Sequence, residues 1–292
     1  MRNDLSKNLL KRFNWMLSHP EFKKNPHKVL FHWCQWEFFK LFQYQPIISI
    51  HQHSKMKLKP GAKRGIHGLI YIFRENLEPT VNYAVEKYVS AGSFCYDIGA
   101  NIGLWTLRMS EIVGDSGYVS AFEPTSRNIG HLQTNISFSN SEKNIIVIPF
   151  ALGNKEGLSK IYIPLDPGSS SMAPETDNDQ CEEILVKRLD DVWKEQGYPN
   201  VDFVKIDVEG AEPLVLEGAS SFFQAVRPVV VCEVNSRKLS LMGRKANDIF
   251  DKFYSWGYES FVFNWDNQSI VTWNHDKDAD VLFLPIEKDY VK

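Results

Sequence analysis

The stretch Phe94-Cys95-Tyr96-Asp97-Ile98-Gly99-Ala100-Asn101-Ile102-Gly103-Leu104-Trp105-Thr106 constrains the fold more than any other. A short apolar run ends in an acid, a turn with two glycines follows, and residues 105–113 are amphipathic. That order reads as strand, tight loop, helix. Gly99 and Gly103 lack Cβ, so backbone N–H groups can approach a ligand and the helix can pack close to its strand. The helix start offers free N–H groups and a positive dipole end to an anion such as a carboxylate. Asp97, at the strand's carboxyl end, can accept hydrogen bonds from an ammonium or hydroxyl. A ligand with both an amine and a carboxylate suits this loop. A plain glycine turn in an α/β core has the same pattern, because short glycine motifs recur by chance.

The chain beyond the loop continues the pattern. Residues 118–122 form the next strand, closed by Glu123 and Pro124. An acid at the end of the second strand of a βαβ unit can take both ribose hydroxyls. A nicotinamide dinucleotide site needs Gly-x-Gly-x-x-Gly; counted from Gly99, those positions hold Gly99, Asn101 and Leu104. The Asn101 side chain stands where a pyrophosphate needs room, which ranks an oxidoreductase low. Residues 145–150 are a third strand, with Ala151 and Leu152 at its carboxyl end. An adenine fits there, read by backbone groups and flanked by Phe122 and Leu152. Residues 156–186 are an elaboration with a strand at 159–163; the serines 169–171 are a substrate lid or, as favoured, a solvated loop.

Residues 201–206 are the fourth parallel strand, followed by Asp207-Val208-Glu209-Gly210-Ala211-Glu212 and a helix from Pro213. Residues 228–232 are the fifth, followed by Glu233-Val234-Asn235. Ligands of open α/β sheets lie beyond the carboxyl ends of the strands, so Asp207, Glu209 and Glu233 should face a substrate. Lys205 shares a strand face with Asp207 and should pair with a carboxylate, since an unpaired buried charge is costly. Glu212 beside Pro213 has the position of a helix cap. Asp207, Glu233 and Asn235 are an alternative Mg²⁺ set, and Trp105, Trp193, Trp256, Trp265 and Trp273 an alternative sugar-stacking wall, most of them more simply core. Residues 239–254 read as helical, and 260–264 with 280–284 as a final antiparallel pair.

The N-terminal sixty residues are rich in aromatics. Pro20 and Pro26 divide them into helices near 4–18 and 27–43, the second apolar around much of its circumference and so expected to pack on the main domain or a second subunit. Membrane-surface contact is the alternative, disfavoured because the helix's own polar face lacks the Lys/Arg density it wants. Residues 47–59 suggest a strand or hairpin, with His51 and His53 on one face. Residues 68–73 are a short strand candidate, and Glu78-Pro79 opens a helix. The net charge of −3 gives no global basic footprint for nucleic acid. Cys34, Cys95, Cys181 and Cys232 lack metal-ligand spacing, and Cys95 and Cys232 read as buried thiols. No apolar run has signal-peptide or membrane-spanning length, so a soluble cytoplasmic protein without integral membrane association is expected.

Taken in order, Tyr96-Asp97-Ile98-Gly99-Ala100-Asn101-Ile102-Gly103, Ala121-Phe122-Glu123-Pro124, Leu189-Asp190-Asp191 and Lys205-Ile206-Asp207-Val208-Glu209-Gly210-Ala211-Glu212 resemble the FkbM family of class I S-adenosylmethionine-dependent methyltransferases. The resemblance covers roughly residues 78–235. It implies an α/β, Rossmann-like, mostly parallel seven-stranded sheet with an antiparallel last strand and helices on both faces. An N-terminal helical extension at 1–60 would precede a methyltransferase domain at 61–292. It also implies that Asp97, Gly99, Asn101 and Gly103 hold the methionine part of S-adenosylmethionine and Glu123 the ribose. Thr106, Pro124, Ala151 and Leu152 complete the expected cofactor set. The family mostly methylates hydroxyl oxygens on sugars or secondary metabolites, so a small-molecule acceptor is the expected partner. One departure is that Ala151 and Leu152 stand where many methyltransferases carry an acid for the adenine amine.

Methyl transfer from a sulfonium is an in-line displacement that needs alignment, desolvation and a base for the hydroxyl proton. Asp207, Glu209 and Glu233 are the base candidates, with Glu209 or Asp207 preferred. A non-catalytic scaffold that keeps the sheet is the competing reading. A homo-oligomer through the aromatic arm is a further expectation.

Overall fold

The structure, a computed structural model, describes residues 16–17, 19–61, 65–139, 141–163, 170–174, 180–274 and 277–288. The strands in chain order begin with β1 (Ile47–Ser49), β2 (Lys55–Lys57), β3 (Phe94–Ile98), β4 (Tyr118–Phe122) and β5 (Ile145–Ile148). They continue with β6 (Ala151–Leu152), β7 (Gly157–Ile163), β8 (Gln180–Lys187) and β9 (Phe203–Ile206). The last are β10 (Val229–Val234), β11 (Tyr258–Asn264), β12 (Ser269–Thr272) and β13 (Ala279–Pro285).

The central strands are short and almost wholly apolar because helices cover both of their faces. All four residues of β9 are buried, as are the last four of β3 and β4. β5, β4, β3, β9 and β10 pair in parallel. β13 joins β10 antiparallel, and β11 then joins β13 antiparallel, as expected for the last pair. Among the described residues this sheet has eight strands, in the order β12-β11-β13-β10-β9-β3-β4-β5, rather than seven. The extra one, β12, folds back on β11 across a polar turn in which Gln268 takes φ 54°. Strand order reverses between β3 and β9, so the two halves of the chain part there and leave a crevice over their carboxyl ends. A smaller sheet, β6-β8-β7, is built from the elaboration.

Three local expectations change. Residues 68–73 belong to a helix, Ile66–Phe73, not a strand. A short apolar run fits either state; here it is buried nearly all round, and Gly68 lies under the Trp36 ring. The single helix at 239–254 is two, Ser236–Leu241 and Ala246–Ser255, parted at Gly243 with φ 67°. Residues 47–57 form the hairpin β1–β2, but His51 and His53 lie in its turn. His51 Nδ1 is 2.9 Å from Glu111.

The helix expected at 4–18 lies outside the described residues, apart from positions 16 and 17. The second arm helix is Pro26–Phe42, stopped by Gln43 in a left-handed conformation. It packs on the main domain through Val29 and Trp36, as expected, and leaves Phe31, Phe38, Leu41 and Phe42 exposed on its other side. Cys95 and Cys232 are buried free thiols. No helix among the described residues is long and apolar enough to cross a membrane.

The Gly68 contact gives a test of the arm's packing. A Cβ there falls 2.7 Å from Trp36 Nε1, and Trp36 is fully buried. Gly68→Ala gains about 1 kcal/mol of helix propensity but overpacks the seam by about 1–3 kcal/mol. A net loss of about 1 kcal/mol in urea unfolding is the expected result.

Candidate active site

The glycine loop is held in shape by backbone bonds. Gly99 N–H and Ala100 N–H both donate to the Phe122 carbonyl, each at 2.9 Å, which ties the end of β3 to that of β4. Gly99, Asn101 and Gly103 have φ of 85°, 53° and 94°, so the loop rises through left-handed positions that favour glycine. A Cβ at Gly99 would sit 1.8 Å from the Asp207 carbonyl oxygen. The glycine is there because strand β9's extension passes directly against it. Gly103 starts the helix Leu104–Val113, packed under Leu132.

Asp97 is buried. Thr106 Oγ1 donates to its Oδ2 at 2.5 Å, while Oδ1 is sealed from solvent and has no partner among the described residues. Burial raises the Asp97 pKa, opposed by the Lys205 charge and the Thr106 hydrogen bond. A buried carboxylate oxygen without a donor fits an ammonium, so the loop passes its chemical test for an amino-acid ligand. Thr106 itself is fully buried; its hydroxyl orients Asp97.

Glu123 is also buried and braced by the protein. Its Oε2 accepts from Asn101 N–H at 2.9 Å, and Oε1 from Thr125 N–H at 3.0 Å and Thr125 Oγ1 at 2.6 Å. Burial raises its pKa and these bonds pull it back. Asn128 Nδ2 also donates to Oε1, at 3.3 Å, whereas Oε2 has one donor among the described residues. With about two lone-pair sites on each oxygen, acceptor capacity remains on Oε2 of a side chain that lines the cavity.

That cavity holds about 450 Å³. Glu123, Pro124, Ala151 and Leu152 line one end, with Phe122 and Phe150 between them. Asp207, Glu209 and Glu233 line the other. A recess of about 30 Å³ beside it is walled by Asp97, Gly99, Asn101, Lys205 and Asp207. The two halves of the crevice therefore meet in one space.

The acidic end has a strict register. Asp97 pairs in the ladder with Lys205, and Ile206 with Cys232. One residue further on, Asp207 and Glu233 continue the row, and Glu233 stands opposite Asp280 of β13. Lys205 Nζ is 2.8 Å from Asp207 Oδ2. Burial works against the Lys205 charge, but Asp207, Glu78 and Asp97 around it raise its pKa above the ordinary value. Burial, with Asp207 and Glu209 nearby, pushes Glu233 well up, and burial with Asp207 brings Asp280 to about 7. Glu212 Oε1 accepts from Val208 N–H at 3.0 Å and Gly210 N–H at 3.1 Å, so it braces the turn before its helix. It is not the helix cap expected from sequence, because the capping position is Ala211, with no side-chain cap hydrogen bond.

Glu209 is the unusual member. It takes φ 57° without being glycine or asparagine, a conformation that persists only where surroundings enforce it. Ser171 Oγ donates to its carbonyl at 3.0 Å, and Lys238 Nζ lies 3.3 Å from its Oε2. Burial and Asp207 raise its pKa to about 7, with Lys238 opposing.

Several residues here escaped the sequence reading. Glu78, just before the helix Pro79–Tyr88, accepts from Trp105 Nε1 and lines the cavity. Burial first, then Asp280 and Asp207, bring it to about 8 against the Lys205 charge. Lys238 and Asp280 had no motif to mark them. Ser170 lines the cavity and Ser171 is buried, so this part of 169–171 packs on the site instead of forming a solvated loop; Ser169 lies outside the described residues. Among the described residues no tryptophan lines the main cavity; Trp105 is buried but walls the small recess beside it, and Trp273 is core. Asn235, offered above as an Mg²⁺ ligand, caps the helix Ser236–Leu241 by accepting from Lys238 N–H at 3.2 Å.

The chain is similar to known methyltransferases. Residues 97–260, more than half of the chain, match the family profile described as the methyltransferase FkbM domain. Methyltransferase sdnD of Sordaria araneosa is 31% identical over 169 residues, 47% of this chain and 65% of the relative. Methyltransferase 1 of Beauveria bassiana is 31% identical over 148 residues, 43% of this chain and 58% of the relative. The chain thus spans under two thirds of the length of these curated relatives. The solved methyltransferase FkbM of Methylobacillus flagellatus is 18% identical with a TM-score of 0.43, covering 74% of this chain and 53% of that one. From the profile match over 97–260, the chain belongs to the FkbM family of S-adenosylmethionine-dependent, Rossmann-like methyltransferases.

Proposed function

We propose that this chain methylates a hydroxyl group of a small molecule, a sugar or a hydroxylated metabolite, with S-adenosylmethionine as donor. The observation that carries the reading is the single cavity with Glu123 at one end and Asp207, Glu209 and Glu233 at the other. When bound, the cofactor supplies a methyl group already activated on a sulfonium. Asp97 Oδ1 would take its ammonium, the Gly99–Asn101–Gly103 loop its carboxylate end, and Glu123 its ribose hydroxyls. Pro124, Ala151 and Leu152 would flank the adenine. Glu209 is the base of choice. Asp207 is engaged by Lys205 at 2.8 Å, which suits it to holding position, whereas a pKa of about 7 keeps Glu209 near the balance a proton acceptor needs. The remaining residues exclude water and orient the hydroxyl.

Calorimetric titration with S-adenosylhomocysteine tests the cofactor half, with NAD as control and Glu123→Ala and Glu123→Gln beside the parent. One-site binding is expected for the parent and none for NAD. Both variants should bind about 10- to 100-fold more weakly, the size of a lost charge-assisted hydrogen bond. Absence of binding to folded protein freed of carried-over ligand would favour the scaffold reading. Acceptor screening with sugars and hydroxylated metabolites, read as S-adenosylhomocysteine release, follows a positive result.

A further inference from the structure

We propose that the N-terminal arm docks this protein onto an anionic lipid surface. The proposal starts from the helix Pro26–Phe42, whose outward stripe is apolar. Val29 and Trp36 point into the fold, while Phe31, Phe38, Leu41 and Phe42 are 61%, 57%, 77% and 62% exposed. Spacings of three, four and seven residues place those four on one helix face. Tyr44 and Ile47, both more than half exposed, carry the patch into the β1–β2 hairpin. The Phe38 and Phe42 rings touch, with centroids 4.4 Å apart, so the stripe is a formed ridge. Isolated exposed apolar residues are ordinary, but a contiguous set at helical spacing marks an interaction site.

Charge selects the occupant. Residues 1–60 hold eleven Lys and Arg against Asp4, Glu21 and Glu37, a net of +8 in a chain whose total is −3. Among the described residues Glu21 is buried, and Glu37 pairs with Lys40 at 2.5 Å. Lys23, Lys24, Lys28 and Lys55 are exposed, and Lys57, paired in register with Ile47, lies 5.8 Å over the ring of Phe138. Basic side chains therefore border the apolar ridge. A second copy would bring the same positive rim against itself, which costs energy. A nucleic acid would satisfy the lysines and leave Leu41 and Phe42 without a partner. An anionic bilayer takes both, with the rings and Leu41 at the acyl boundary and the lysines among headgroups.

The arm is continuous with the active site. Tyr71 Oη donates to Gln35 Oε1 at 3.0 Å, and the Trp36 and Tyr71 rings stack at 5.5 Å. Ile66 and Leu69 of the same helix as Tyr71 line the cavity. Docking would bring that wall to the membrane side.

Co-sedimentation of the full chain with vesicles tests the proposal independently of cofactor binding. Phosphatidylcholine vesicles with and without phosphatidylserine, at a ratio of roughly 7:3, are compared at low and high salt. Binding to the anionic vesicles is expected, weakened about tenfold by omission of phosphatidylserine or by high salt. The double variant Phe38→Ser/Phe42→Ser should lose at least about tenfold. Its circular dichroism and its S-adenosylhomocysteine affinity should match the parent's, which separates lost docking from lost folding. Lys55→Glu/Lys57→Glu should weaken binding to anionic vesicles alone. The idea is overturned if the parent ignores anionic vesicles, if the serine variant binds equally, or if sedimentation equilibrium finds a dimer that the serine variant dissociates and no vesicle binding.

Discussion

Replacing Gly99 with alanine is expected to abolish S-adenosylhomocysteine binding and to lower stability by about 3–5 kcal/mol. Two penalties combine. The residue has φ 85°, where an L side chain is strained by about 1–2 kcal/mol. The new Cβ also falls 1.8 Å from the Asp207 carbonyl oxygen. That oxygen is backbone, so no rotamer relieves the overlap; the ends of β3 and β9 must separate. Their separation breaks the bond from Asp207 N–H to the Ile98 carbonyl, 2.9 Å, and moves Asp97 and Asp207 together. Gly103→Ala is the internal control. Its φ is 94°, but the clash, 2.5 Å, is with Leu132 Cδ1, the far end of a flexible side chain. It should cost about 1–2 kcal/mol and leave measurable binding. Thermal melts and calorimetry on the two variants decide: equal behaviour would mean the β3–β9 contact is not what requires glycine at 99.

That contact shows what the sequence could and could not reveal. Strand, loop and helix were legible at 94–106 because a strand end, two glycines and an amphipathic run leave few alternatives. Asp97, Glu123, Asp207 and Glu233 were legible as a set because parallel pairing forces strand ends to one edge. The reason for Gly99 was not legible: it lies in a neighbour 108 positions away, Asp207. Glu78, Lys238 and Asp280 enter the site by the same route. Glu78 precedes a helix, Lys238 sits within one, and Asp280 opens an antiparallel strand; none belongs to a local pattern that signals chemistry. The helix Ile66–Phe73 was misread because burial on nearly all sides erases the periodicity that separates helix from strand. A helix apolar around much of its circumference needs a cover, and the fold itself covers only the Val29 and Trp36 side of Pro26–Phe42 among the described residues. What meets the other side is not written in the helix's own pattern.

Glu209 carries the second large prediction, which has an activity arm and a stability arm. Glu209→Gln should lower kcat by about 10²–10³, the range of a lost general base, with cofactor affinity unchanged. In the parent, Glu209 is protonated below about pH 7 and cannot accept a proton, so the rate should rise through about pH 7 and then level. Glutamine removes that limb. Lys238→Met removes the charge 3.3 Å from Oε2 that opposes the upward shift, and should move the midpoint to higher pH. The stability arm has the opposite sign. The folded pKa, about 7, lies above the ordinary glutamate value of 4.5. The folded state therefore binds the proton more tightly, and stability is fully present below about pH 4.5 and lost as pH rises through about 7. The ionised side chain costs the folded state up to about 3 kcal/mol at pH 8. Glu209→Gln should thus match the parent in thermal melts near pH 5 and exceed it near pH 8. A slow variant that is more stable at alkaline pH identifies a base held against its own preference by burial beside Asp207. A variant that loses rate without gaining stability there would assign Glu209 a packing role and pass the proton to another carboxylate of the row.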